Sequence, residues 1–440
     1  MSLYNELRGK HPLFVYHSFA LSEGALEFHF SIDEYHFYPR WEFDKALSAG
    51  KYSREKAERA AFSLGMAELV SYWKCACCPR VEVRCGGLAE QQKKWWKKLY
   101  FNGLGEFFYR NGIKADFEDF MTIEAPEPAP LPHHKAELNG VLVPIGGGKD
   151  SVVTVELLKK AGADIYPYII NPRGATLGCV AAAGISPEKI TGVRRSIDKT
   201  LLELNSKGYL NGHTPFSAVV AFSAELFAVM AGRKYIALSN ESSANEVYVD
   251  GSEINHQYSK STEFERDFRE YCEELGEAPE YFSLLRPWSE WQIAREFVKY
   301  PQYFGVFQSC NLGSKTNVWC GSCAKCLYVY ILLAAFLEDK SLEDIFGCNM
   351  LDKAELSDML EGLITEGRDK PFECVGTRDE VRLSLEMAAK LRGERLPALL
   401  LRYRELYPTF EPVDLSEFYD SDNFVPEEFR RLLTTKQTRE

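Results

Sequence analysis

A chain of 440 residues, 45% hydrophobic and 26% charged, carries enough apolar material for two or three packed domains. Its formal net charge of −12 argues against holding DNA or RNA, which takes a basic face, and favours a small-molecule substrate. No apolar run reaches membrane-spanning length, and the opening MSLYNELRGKHPLF lacks the apolar centre of a secretory leader, so the expectation is a cytoplasmic protein with no nucleic-acid or membrane partner.

Residues 12–42 alternate apolar and polar side chains and are rich in aromatics, which predicts a strand or two of a small sheet. Residues 54–73 and 88–111 read as helices, the second stopped by Gly112. Its segment KKWWKKLYF reads as a core-facing aromatic stripe with solvated lysines. The stretch TIEAPEPAPLPHHKAE, 122–137, is too rich in proline for a helix or a central strand and reads as a linker. From 138 the pattern alternates: strand GVLVPI, helix SVVTVELLKKAG closed by Gly162, strand IYPYII, an apolar helix over 216–232, strand KYIAL. Such alternation argues for a parallel sheet covered on both faces. Residues 324–338 read as a further buried helix, and the chain from about 346 onward as charged and mainly helical. The expected organisation is α/β: an N-terminal α+β domain over 1–121, the linker over 122–137, a parallel-sheet domain over 138–345 and a helical region over 346–440.

Between the first strand and helix of that sheet lies VPIGGGKDS, 143–151. Glycines allow close backbone approach there, and a helix N-terminus presents unpaired N–H groups, so the pair makes an anion site. The plain alternative is a tight βα turn. A Walker A loop is excluded because Val143 occupies its first glycine position, and the dinucleotide fingerprint because Ser151 occupies its last. The loop resembles the Ser-Gly-Gly-x-Asp-Ser loop of the N-type ATP pyrophosphatases through Gly147, Gly148, Asp150 and Ser151, with Gly146 in place of the first serine. That resemblance implies a HUP-like fold and ATP cleaved between its α and β phosphates. It implies that Gly146, Gly147, Gly148 and the N–H groups of Lys149 to Ser151 cradle the phosphates. Lys149 then offsets charge and Asp150 positions Mg²⁺ or Mn²⁺, so Lys149, Asp150 and Ser151 form the catalytic set. Asn171 after one strand, and Ser239, Asn240 and Glu241 after another, stand where nucleotide contacts are expected; ordinary loop polarity is the alternative.

Twelve cysteines are many for a reducing compartment. Cys310, Cys320, Cys323 and Cys326 are spaced to hold a tetrahedral Zn²⁺ in a structural role, although an iron–sulfur cluster or four reduced thiols also fit the spacing. The arrangement looks like the zinc cluster of the queuosine-pathway nitrile synthase. The run KCACCPRVEVRC, 74–85, has poor metal spacing and reads as buried thiols.

LYFNGLGEFFYRNG (99–112), VPIGGGKDS, WCGSCAKC (319–326) and FECVGTRDE (372–380) are together similar to the MurL family, over about residues 70 to 385. The resemblance implies ATP-dependent epimerisation of the terminal L-glutamate of UDP-MurNAc-L-Ala-L-Glu through a carboxyl-adenylate, a step of peptidoglycan precursor synthesis. The other readings are a different adenylating enzyme of the same fold, for tRNA thiolation or amide formation, and a nucleotide-binding regulator without turnover. Tyr109, His213, His256, Glu373 and Cys374 are candidates for the base, with none singled out. Arg110, Arg286 and Arg378 are candidates for gripping the glutamate side chain or the UDP pyrophosphate.

Overall fold

The protein is described by a computed structural model covering residues 2–48, 50, 52–130, 138–249, 254–274, 279–409, 411 and 413–434. Its strands are β1 (Leu13–Ser22), β2 (Ala25–Ile32), β3 (Tyr35–Phe37), β4 (Arg40–Phe43), β5 (Arg80–Val83), β6 (Thr122–Glu124), β7 (Asn139–Pro144), β8 (Ile165–Ile170), β9 (Thr191–Ser196), β10 (Arg233–Leu238) and β11 (Glu280–Ser283). They form one sheet in the order β11-β10-β7-β8-β9-β4-β2-β1-β5-β6, with β3 attached to β2.

The strands from β7 to β11 pair in parallel, as the βα alternation predicts. The sheet does not end there. β9 pairs antiparallel with β4, Trp41 opposite Arg195 and Phe43 opposite Val193, so a mixed sheet replaces the expected separate parallel one. A buried ion pair sits at the junction. Glu68 is fully buried on the Arg54–Trp73 helix and accepts both guanidinium bonds of Arg195, at 2.5 and 2.7 Å, and the indole N–H of Trp41 at 2.9 Å. TGVRRS escapes a hydrophobic-pattern search because its second arginine is neutralised by a residue 127 positions away.

The expected linker starts differently too. Thr122–Glu124 is β6, parallel to β5, and the Leu88 N–H donates to Pro126 O; residues 131–137 lie outside the described residues. The 88–111 stretch is two helices, Glu90–Gly103 and Gly105–Arg110, parted at Leu104. Gly112 follows at φ +61°, the left-handed stop the sequence suggested. Trp95 and Trp96 pack on Phe222 and Tyr271, and Lys98 meets Glu263 and Asp267, so the aromatic stripe faces the core.

Two apolar cores cover the sheet's faces. On β7, Leu142 enters one, while Val141 and Val143 enter the other. The second core is built around Ala324–Ala334, a helix buried along its whole length. Among the described residues no helix is long and apolar enough to cross a membrane.

The Phe216–Ala231 helix carries a liability. Glu225 is 4% exposed and its Oε2 finds no hydrogen-bond partner among the described residues. Burial raises its pKa to about 8, with Lys56 pulling the other way. A carboxyl whose folded pKa is raised loses stability as pH climbs from its unfolded pKa of about 4.5 through the folded one, at up to about 1.4 kcal/mol per pH unit. Glu225→Gln is therefore expected to gain stability over wild type progressively from pH 5 to pH 8. Urea titrations at several pH values check this, and a pH-independent difference refutes it.

Candidate active site

Read outward from β7, the parallel strands run β9-β8-β7-β10-β11, a doubly wound order that reverses between β7 and β10. Ligands of such sheets bind at the carboxyl ends of the strands flanking the reversal. A cleft of about 320 Å³ opens there, lined by Gly146, Gly148, Asp150 and Ser151 from the loop after β7, and by Ser239, Asn240 and Glu241 after β10.

The loop has the geometry of an anion cradle. Gly148 caps the Lys149–Lys160 helix with no side-chain bond to its first N–H groups, leaving them for a ligand. Gly147 stands at φ +86°, where a Cβ would come within 3.0 Å of Ala175, so only glycine fits. A Cβ on Gly146 meets nothing within 4 Å; a serine hydroxyl has room, and its absence leaves the backbone as donor. Ser151 Oγ donates to Gly148 O at 2.9 Å, fastening the helix start to the loop.

Lys149 is turned inward in the structure. It is 2% exposed, and its ammonium is ion-paired with Asp150 and Glu290. Burial opposes its charge, but the two carboxylates outweigh burial and raise its pKa. The first helical turn points position 149 toward the Glu290–Phe297 helix, where the pair with Glu290 forms. Asp150, Glu241 and Glu290 bring carboxylate oxygens within 4.8 Å of one another. Burial raises Glu290, and burial likewise raises Glu241, with Asp150 adding repulsion at both. Asn240 Nδ2 donates to Ser283 Oγ at 3.0 Å, and Ser239 Oγ is buried with no partner among the described residues.

Asn171 is not brought to this cleft. It adopts φ +54°, accepts the Arg195 N–H at 2.9 Å, and borders a separate hollow with Arg173 and Arg194. Its side chain ties the end of β8 to β9. Arg286 is fully buried, donating to Glu241 O and Lys260 O and pairing with Glu265. Arg378 pairs with Glu366 and donates to Arg368 O, and Tyr109 is exposed and donates to Asp369. Arg110 pairs with Glu106 at 2.6 Å.

The sequence reading missed the cleft's cations, Lys260 and Lys325. Both converge on Cys374: Lys260 Nζ lies 3.1 Å from its Sγ, and Lys325 Nζ donates to its backbone carbonyl. Burial works against the Cys374 thiolate, yet Lys260, His256 and Lys325 hold its pKa down at about 5. Only the position of Lys325 inside Cys-x2-Cys-x2-Cys hinted at it. Glu373, beside Cys374, accepts from Asn311 at 2.7 Å.

The four cysteines named above do meet, with sulfurs within 4.8 Å of one another and Cys320 Sγ 3.6 Å from Cys326 Sγ. Cys323 is held down at about 5, first by its bond from the Cys326 thiol. By contrast Cys75, Cys77 and Cys78 form no such four-sulfur cluster among the described residues, and burial pushes Cys75 up to about 12.

A glycine-rich loop, clustered carboxylates and two lysines thus meet at the reversal point of an α/β sheet. The MurL N-terminal domain matches residues 7–284, running straight through the Pro-rich stretch, and the MurL C-terminal domain matches residues 306–411. The chain belongs to the MurL family. It is 35% identical to the UDP-N-acetyl-alpha-D-muramoyl-L-alanyl-L-glutamate epimerase of Xanthomonas oryzae pv. oryzae (strain MAFF 311018), over 79% of this chain and 78% of that one. It is 36% identical to the protein of the same name from Micromonospora sp. (strain ATCC 39149 / NRRL 15099 / SCC 1413), over 73% of this chain and 72% of that one. No solved structure matches it significantly.

Proposed function

We propose that the protein inverts the terminal L-glutamate of UDP-MurNAc-L-Ala-L-Glu to D-glutamate, with ATP cleaved to AMP and pyrophosphate. The observation that carries this is one cleft holding both the glycine cradle of residues 146–148 and the carboxylate and lysine groups an activated amino acid needs, in a chain with epimerase relatives. The strand order supports a HUP-like fold.

The chemistry follows from acidity. A Cα–H beside an ionised carboxylate resists removal because negative charge would accumulate on negative charge. Adenylating the α-carboxylate removes that charge and makes an ester-like acyl phosphate, whose α-proton a side-chain base can take. Hydrolysis of the adenylate then releases the D-glutamyl product, and ATP cleavage drives conversion past an even mixture.

The residues fit the expected ions. Asp150 and Glu241 supply hard oxygen ligands of the kind Mg²⁺ or Mn²⁺ takes, with Glu290 behind them balancing Lys149. Mg²⁺ there would neutralise phosphate charge. Cys310, Cys320, Cys323 and Cys326 would hold Zn²⁺ in a closed, structural site.

Incubation with ATP, Mg²⁺ and UDP-MurNAc-L-Ala-L-Glu in D₂O is expected to give AMP, pyrophosphate and UDP-MurNAc-L-Ala-D-Glu deuterated at the glutamate Cα. AMP released only with tRNA or an amine donor would assign the protein to another adenylating activity. Binding of ATP with no AMP would make it a regulator.

A further inference from the structure

Epimerisation needs a group that takes the Cα proton, and the cleft holds a side-chain relay that the phosphate loop leaves unused. Cys374 lines the cleft together with Gly146, Asp150 and Ser239. Its sulfur receives Lys260 Nζ at 3.1 Å, and His256 is among the groups that hold its pKa down. The other face of that imidazole is fixed by Glu106, whose Oε2 lies 2.6 Å from His256 Nδ1. Glu106 is itself 7% exposed and is further engaged by Arg110 at 2.6 Å and by His213 at 3.3 Å. A carboxylate that orients an imidazole whose charge favours a nearby thiolate, with an ammonium on the sulfur itself, is an arrangement that activates sulfur.

The charges around the thiol agree. Lys260, His256 and Lys325 face it, and Tyr248 approaches from a separate segment by donating to Val375 O. His256 is raised to about 9, against the effect of burial, by Cys374 and Glu106. His213, crowded by burial and by His256, is lowered to about 4 and stays neutral. At Cys179, by contrast, burial alone pushes the thiol up to about 12. Within the cleft, Glu373 is tied to Asn311 and raised by burial.

We propose that the Cys374 thiolate is the base that removes the Cα proton of the activated glutamate, with Lys260, His256 and Glu106 as positioning residues. The assignment rests on the epimerase reading above. In the step, the Cα–H bond breaks, its proton forms S–H on Cys374, and its electron pair moves into the activated carboxyl as an enolate. A water molecule protonates Cα from the opposite face, and the hydroxide left behind takes the thiol proton, restoring the thiolate. Solvent hydrogen therefore enters with each inversion.

The test compares full-length wild type with Cys374→Ala, reading Cα deuterium and AMP separately in D₂O with UDP-MurNAc-L-Ala-L-Glu, ATP and Mg²⁺. Cys374→Ala is expected to lose deuterium incorporation by about 10²- to 10⁴-fold while AMP remains detectable. Deuteration within tenfold of wild type overturns the proposal. Wild type that makes no deuterated product instead overturns the epimerase reading, so the two failures are distinct. A second readout does not depend on how the variant folds. Iodoacetamide labelling of Cys374 in wild type, followed by peptide mass spectrometry, is expected to reach half-maximal rate below pH 7. That midpoint should rise in Lys260→Met and in His256→Gln. A wild-type midpoint at or above about 8.5, the ordinary thiol value, overturns the thiolate. An acyl thioester on Cys374 trapped with substrate and ATP overturns the base role in favour of a nucleophile.

Discussion

Lys149→Met is expected to cost about 3–5 kcal/mol of folding stability, the usual penalty for removing one partner of a buried ion pair. The lysine is 2% exposed and Glu290 is 3% exposed at the side chain, and Asp150 completes the trio. Without the ammonium, the buried Glu290 stands close to Asp150 at the cleft wall with Glu241 nearby, and like charges there cannot all remain ionised. The sign with pH follows. Glu290 is already raised, by burial first, and loses its main counter-charge in the variant. Its folded pKa then lies further above the unfolded one, so stability is lost as pH rises through that value and recovered as pH falls. The deficit should be largest at pH 8 and shrink toward pH 5.5, and Glu290→Gln added to Lys149→Met should recover much of it. Urea denaturation at the two pH values measures both. A lysine serving only bound phosphate would leave the ligand-free stability untouched and raise the KM for ATP alone; that outcome would refute the buried-pair account.

Cys326→Ser is expected to take the zinc content of purified, reduced protein from about one equivalent to near zero and to lower epimerisation by tenfold or more. Zinc bonds of about 2.3 Å in a tetrahedron place sulfurs about 3.8 Å apart, close to the 3.6 Å between Cys320 and Cys326. The activity loss follows from position. Cys310 stands between Ser309 and Asn311, and Lys325 between Cys323 and Cys326, and all three non-cysteine residues line the cleft. Cys323 caps the buried Ala324–Ala334 helix and Cys326 lies in its first turn, so a loosened cluster disturbs both cleft wall and core. Metal analysis with parallel turnover assays decides it. Fully active wild type containing neither zinc nor iron would remove the site.

What could be read from the sequence was local. The glycine loop, the helix after it, the strands IYPYII and KYIAL, the four cysteines and the buried helix all announce themselves through spacing or apolar runs. What could not be read depends on residues far apart in the chain. β9 is polar and becomes a strand because Glu68 and β4 complete it. Lys149 follows three glycines and so looks like a phosphate ligand, until Glu290, 141 positions later, claims it. Lys260 has no motif around it, and its role appears only when folding sets it against Cys374. Asn171 marks a strand end correctly, but β8 lies on the far side of β7 from β10, so its loop opens onto a different hollow.

The β4–β9 pairing has a mechanical consequence. Four residue pairs join the two halves of the sheet, and the Glu68–Arg195 bond holds the same place from the helix layer. A swing of the N-terminal half against the cleft would have to shear backbone hydrogen bonds and strip a buried charge of its partner, whereas a hinge takes a few loop residues that absorb the rotation. The N-terminal half therefore works as a splint. The floor of the cleft is braced through the sheet, and adjustment to a bound ligand is expected to fall to the connecting segments at its rim.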